Sequence, residues 1–267
     1  MKVYHYTSIE TLALILKNKS IRFNRLDNVD DLEESIYGSG FQNIKLAKYT
    51  FVSCWTRDKE ENLALWNMYT QNKGVRIGLE ENPFVAYPVN DKFKSYFKTP
   101  LEFGPDYLAL SFSNEIKLHD IIYVDNQCEK IKSLIQNNKD NIKIKTNDVG
   151  LYKDMRWQFQ KESRYKIILN PVNVDITNQM IGKSGNPAFD MVYGLFSSLV
   201  PSLFTETPLK ESELFIKLNE AAINNIEVMM GPETSDSDKL LVEELLSDYP
   251  QHSLKDSYFR GKIKSRK

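Results

Sequence analysis

The stretch from Val3 to Phe23 constrains the fold most, because it reads as strand, helix and strand within about twenty residues. Val3-Tyr4-His5-Tyr6-Thr7 is β-branched and aromatic, and it breaks at Ser8 into an apolar helical pattern at Leu12, Ile15 and Leu16. Ser8 is a good helix N-cap, so the helix is expected to run to about residue 18, with a second strand at Ile21-Arg22-Phe23. A lone histidine between two tyrosines on the first strand is a candidate site residue. The plain alternative is a core strand carrying a histidine with its hydrogen bonds satisfied.

Beyond that start, strand and helix signals keep alternating. Residues 24–34 are rich in Asn and Asp and read as a loop leading into a helix start. Strands are expected over 49–55, 74–79, 120–124, 165–169 and 223–230, and helices over 62–69, 129–137, 153–159 and 236–246. Asn138-Lys139-Asp140-Asn141 and Gly231-Pro232 read as turns, and 252–263 as a closing strand or extended tail. Two stretches, 81–117 and 170–209, mix Pro, Gly and Ser with aromatics and read as insertions, although 189–199 is apolar enough to be buried. No glycine-rich phosphate loop joins a strand to a helix. This favours an α+β fold over a doubly wound one: a central mixed or antiparallel sheet with flanking helices, in a single domain spanning 1–267.

Composition narrows the function classes. With 267 residues, 41% of them hydrophobic, the chain can bury a full core. Thirty-five Lys and Arg nearly cancel 36 Asp and Glu, so no overall field draws the protein to nucleic acid or to an anionic membrane. The basic end, Arg260 to Lys267, reads as solvated. Cys54 and Cys128 are the only cysteines, too few for a disulfide framework or a cysteine-rich zinc site. The opening residues lack a signal-peptide core and no apolar run reaches membrane-spanning length, so a cytoplasmic protein without membrane partners is expected.

A second constellation is Trp157-Gln158-Phe159-Gln160-Lys161-Glu162-Ser163-Arg164-Tyr165. On an extended backbone Gln160, Glu162 and Arg164 share a face, so an amide, a carboxylate and a guanidinium would line one wall. The alternative is a solvent-facing strand edge with a weak Glu162–Arg164 pair. A third cluster, Asp30, Asp31 and Glu33, offers carboxylates to a metal-dependent nuclease, but adjacent Asp30 and Asp31 point apart on an extended chain.

Taken in order, Tyr4-His5-Tyr6-Thr7, Leu12-x-x-Ile15-Leu16, Asn28-x-Asp30-Asp31-x-Glu33, Ser53-Cys54-Trp55-Thr56, Leu65-Trp66-x-Met68-Tyr69, Gly74-Val75-Arg76-Ile77-Gly78 and Trp157-x4-Glu162-x-Arg164 resemble a bacterial family catalogued as domain of unknown function 2971. The family's pattern carries Asn-Asp-Pro before the acidic residue and a Glu at the place of Gln160, and this chain departs from both. The first strand with its histidine, and Gln160-Lys161-Glu162, also bear a distant likeness to the ADP-ribosyltransferase fold.

That likeness implies an NAD-using ADP-ribosyltransferase or NAD glycohydrolase, with a toxin or phage-defence effector as its setting. It also implies a protein or nucleic-acid acceptor and an antitoxin partner. Cleaving the nicotinamide glycosidic bond develops positive charge on the ribose, which a carboxylate stabilises. The likeness assigns that role to Glu162, with Gln160 and His5 completing the catalytic set. His5 would bond a ribose hydroxyl or phosphate beside Thr7. Tyr69 or Trp66 would stack on the nicotinamide, and Arg76 or Arg164 would neutralise the diphosphate. Tyr4, Tyr6, Asn24 and Trp55 complete the expected NAD-binding set, and no metal is required. The alternative function is a non-catalytic module that senses a nucleotide or binds a protein through the same pocket.

Overall fold

The computed structural model describes residues 1–35, 46–88, 94–97, 101–102, 107–110, 115–138, 141–204 and 211–264. Nine strands form the main sheet: β1 (Lys2–Thr7), β2 (Ser20–Arg25), β3 (Thr50–Thr56), β4 (Val75–Glu80), β5 (Leu118–Asp120), β6 (Glu162–Ile168), β7 (Glu213–Lys217), β8 (Glu227–Met230) and β9 (Ser253–Asp256). The helices are α1 (Ile9–Asn18), α2 (Leu63–Thr70), α3 (Gln127–Lys132), α4 (Val174–Met180), α5 (Pro187–Phe204), α6 (Glu220–Asn224) and α7 (Asp236–Leu246). The protein is therefore α+β with a mixed sheet. Every pairing in that sheet is antiparallel except β8 with β9. No described helix is long and apolar enough to cross a membrane.

Local chemistry sets the elements near the site. The Ser8 hydroxyl accepts from the Thr11 amide at 3.1 Å and starts α1, which buries Leu12, Ile15 and Leu16 and ends at left-handed Lys19. The Asn62 side chain accepts from the Ala64 and Leu65 amides and starts α2. A capping box at Ser235 and Asp238 starts α7. One sheet face carries Val3, Phe23, Phe51, Trp55, Ile77, Leu79 and Tyr165 into the main core beneath α1 and α7. A second core on the other side gathers Leu26, Val52, Ile131, Leu134, Val149 and Tyr152.

Strand β3 positions the site. One of its edges pairs with β6 over seven residues, from Thr50↔Ile168 to Thr56↔Glu162. The other edge is shared: Phe51 and Val52 pair with Arg25 and Asn24 of β2, while Thr56 pairs with Tyr4 of β1. Between those contacts β1 and β2 diverge, β1 toward β4 and β2 toward β7. The sheet forks there.

Several expectations need correction. The helix expected over 129–137 is the shorter α3, followed by a hairpin of Ile135–Asn138 with Asn141–Ile144 that turns at the predicted place. Burial of Ile131 and Leu134 in the second core, with Ile135 and Ile144 packed on it, overrides the helical period. The helix expected over 153–159 is a strand, Tyr152–Asp154, and then a 3-10 turn, Met155–Gln160, opened by the Asp154 carboxylate and ended by left-handed Lys161. The strand expected from 223 starts at Glu227, because Asn219 caps α6 first.

The apolar run at 189–199 leaves Phe189, Val192 and Tyr193 more than half exposed on α5. The two segments read as insertions meet: Tyr107–Leu110 pairs with both Leu101–Glu102 and Asn170–Asn173 in a small separate sheet. Much of 81–117 and part of 170–209 lie outside the described residues. At the basic end Arg260 bonds Asp236 and Asp256, which leaves it paired rather than solvated.

Candidate functional site

Forking a sheet leaves strand edges without partners, and an unpaired buried carbonyl is costly. His5 answers for one of them. Its Nδ1 lies 2.7 Å from the Cys54 carbonyl, at the point where β1 leaves β3. A carbonyl only accepts, so Nδ1 carries the proton and Nε2 keeps a free lone pair. Burial lowers the pKa of His5 against the opposing pull of the Cys54 carbonyl, so the ring is neutral at neutral pH. The ring packs on Trp55 at 5.2 Å, and Trp55 is held by its indole bond to Ser53.

On the other face of β3 and β6 lies a buried charge cluster. Glu162 Oε1 accepts from Arg164 Nε at 2.7 Å and from a terminal nitrogen at 2.5 Å. Arg164 also holds both oxygens of Glu34 and the Gly150 carbonyl. Lys153 Nζ donates to Glu162 Oε2 at 3.0 Å and to Gln160 Oε1 at 2.8 Å, with Glu34 at 3.5 Å and Asp30 at 3.8 Å. Gln160 donates to the Tyr69 hydroxyl at 3.0 Å, and that hydroxyl donates to Asp30 at 3.1 Å. Arg164, Glu34 and Lys153 are all but inaccessible to solvent.

Burial works to raise Glu162, but Arg164 and Lys153 outweigh it and hold the carboxylate ionised. Burial raises Glu34 against the pull of Arg164, and burial together with Glu162 pushes the Cys54 thiol well up. The desolvation cost of such a cluster offsets most of its attraction. Its product is geometry: one ionised carboxylate held rigidly at the fork.

The fork encloses two adjoining spaces. The inner cavity, about 60 Å³, is lined by His5, Tyr4, Trp55, Tyr69, Gln160 and Glu162. The outer cleft, about 690 Å³, lies between β1, α1 and β2, within the usual range for small-molecule sites. His5, Tyr6, Cys54 and Tyr69 border both, so the inner cavity is the deep end of the cleft. By register His5 and Glu162 project from opposite sheet faces, and only the fork lets them share a cavity.

The expected residues divide accordingly. Gln160 and Glu162 come together as expected, but by another route: Gln160 ends the 3-10 turn instead of lying on the strand, and Lys153 joins the two. Thr7 and Asn24 line the outer cleft. Three other expectations are corrected. Trp66 is fully buried against Tyr6, its indole donating to Glu61, and it borders neither space, so it cannot stack on a ligand there. Arg76 is buried, donates to the Lys59 and Glu60 carbonyls and lies over the Tyr4 ring at 4.5 Å, and it faces neither space. Arg164 is committed to Glu34 and Glu162 and likewise lines neither.

Asp30 and Asp31 diverge, Asp30 toward Tyr69 and Asp31 toward Gln127 and the Glu33 amide. Among the described residues no three metal-ligating side chains gather. Sequence reasoning missed Glu34, Lys153 and Cys54. Glu34 ends a stretch that reads as a loop and Lys153 starts one that reads as a helix, and no local spacing marks either as a buried partner.

The fold and site define an α+β protein with a cleft at the fork of its mixed sheet and one ionised carboxylate at the deep end. No family model matches the chain, and neither a curated protein nor a solved structure matches it.

Proposed function

We propose that the protein binds NAD in the fork cleft and cleaves its nicotinamide–ribose bond, as an NAD glycohydrolase or ADP-ribosyltransferase. The carrying observation is the shared inner cavity of His5 and Glu162, which opens on a cleft large enough for a dinucleotide. In this reading the carbon–nitrogen bond breaks with its electron pair leaving on nicotinamide, which neutralises the pyridinium. The cationic ribose carbon faces Glu162, whose charge is already fixed and needs no proton transfer. His5 Nε2 accepts a ribose hydroxyl proton, which suits its neutral state; a fully ionised phosphate has no proton to offer it. Tyr69, at the junction of the two spaces, is the aromatic positioned to pack the nicotinamide. Water or an acceptor nucleophile captures the ribose and releases a proton.

On this reading the sheet is an ADP-ribosyltransferase-like core and the motif likeness to domain of unknown function 2971 reflects kinship. The ADP-ribosyltransferase likeness extends the proposal to a cytoplasmic effector role with a neutralising partner. A second reading is a nucleotide sensor without turnover. It is favoured by the commitment of both Glu162 oxygens, one to Arg164 and one to Lys153.

The test is NAD consumption by wild type and Glu162→Gln, with unfolding midpoints confirming that both fold. Turnover should fall roughly a hundredfold or more in the variant. Equal turnover in both proteins would refute the role of Glu162. Nucleotide binding by calorimetry with no consumption would select the sensor.

A further inference from the structure

The outer end of the cleft has its own chemistry. Strands β2 and β7 pair Arg22 with Phe215, Asn24 with Glu213 and Ser20 with Lys217, so these six side chains share one face. Phe215 is 56% exposed there, the one aromatic among charged and polar neighbours. A lone exposed phenylalanine is ordinary on a protein surface. This one lines a cleft, beside Arg22, whose contact with Glu213 is a loose 3.6 Å and leaves guanidinium donors free.

Arg22 is also the one cation among the described residues lining the cleft, since Arg76 and Arg164 are spent elsewhere. Thr7 and Ser20, 7% and 5% exposed, also line the cleft and set hydroxyls along its wall.

We propose that the outer cleft is a nucleobase and phosphate subsite, in which Phe215 stacks the base, Arg22 pairs with the adjoining phosphate, and Thr7 and Ser20 hold the ribose hydroxyls. The inference rests on the nucleotide reading above and gives it a direction: the adenosine end outermost and the nicotinamide end toward Glu162. Stacking on an aromatic tolerates any base, so the subsite recognises the shape and charge of a nucleoside phosphate more than a base edge.

Calorimetric titrations with ADP-ribose and with nicotinamide mononucleotide test it in wild type, Phe215→Ala, Phe215→Trp and Arg22→Gln. Phe215→Ala should weaken ADP-ribose roughly five- to hundredfold and leave nicotinamide mononucleotide unchanged. Phe215→Trp should keep the affinity, with its new indole fluorescence quenched by ADP-ribose. Arg22→Gln should weaken ADP-ribose and flatten the salt dependence of its binding. Wild-type affinity for ADP-ribose in Phe215→Ala overturns the subsite and leaves the nucleotide reading standing. Failure of wild type to bind either ligand overturns both.

Discussion

His5 donates to the Cys54 carbonyl and keeps its other nitrogen bare, and this single contact fixes the chemistry open to it. Its pKa lies below the ordinary 6.5, so the unfolded chain binds the proton more readily than the folded one. The stability His5 contributes is therefore complete above pH 6.5 and is lost as pH falls from there toward its folded value. Urea unfolding of His5→Gln should show a flatter pH dependence than wild type between pH 6.5 and 5, and parallel curves would contradict a neutral His5. Arg164 illustrates the opposite case: burial works against its charge, and Glu162 and Glu34 hold it on. Replacing it with Met strands Glu34 and Glu162 in the interior without their main counter-charge. Removal of one partner from a buried pair costs about 3–5 kcal/mol. A loss under about 1 kcal/mol in chemical unfolding would mean that the cluster is solvated.

At the scale of elements, the fork depends on a close approach between strands and helix. Gly74, just before β4, lies where a Cβ would come within 2.2 Å of the Thr7 carbonyl and 2.7 Å of the Thr70 Cβ. Only a residue without a side chain lets β4 start beneath the end of α2 while pairing with β1. Gly74→Ala should cost about 1–3 kcal/mol through overpacking and shift the end of β1 that carries Thr7. An unchanged thermal midpoint would show that the contact yields freely. The 3-10 turn before β6 matters in a similar way. Left-handed Lys161, at φ 44, swings the chain so that Gln160 and Glu162 both reach Lys153, which a continuous strand would not do through the same atoms.

Across the whole molecule, the cleft is a product of sheet topology. Its walls come from β1, α1, β2, β3, α2 and β7, so no single segment contains it. Elements with local signals were legible in the sequence. Ser8 caps α1 as expected, α2 and α7 start within a residue of the expected positions, and the first two strands, β3, β4 and β6 lie where their apolar runs place them. The pairing of Gln160 with Glu162 was also legible, though its backbone route was not. What could not be read were contacts between remote segments, such as Glu34 with Arg164, 130 residues apart, or Phe215 beside Arg22. Capping and periodicity act within four residues and are written in the chain, so the sequence alone determined most of the elements and the α+β class. The fork, the charge cluster and the burial that keeps His5 neutral arise from strand register and desolvation, which exist only once distant strands have paired, and those the tertiary structure decided.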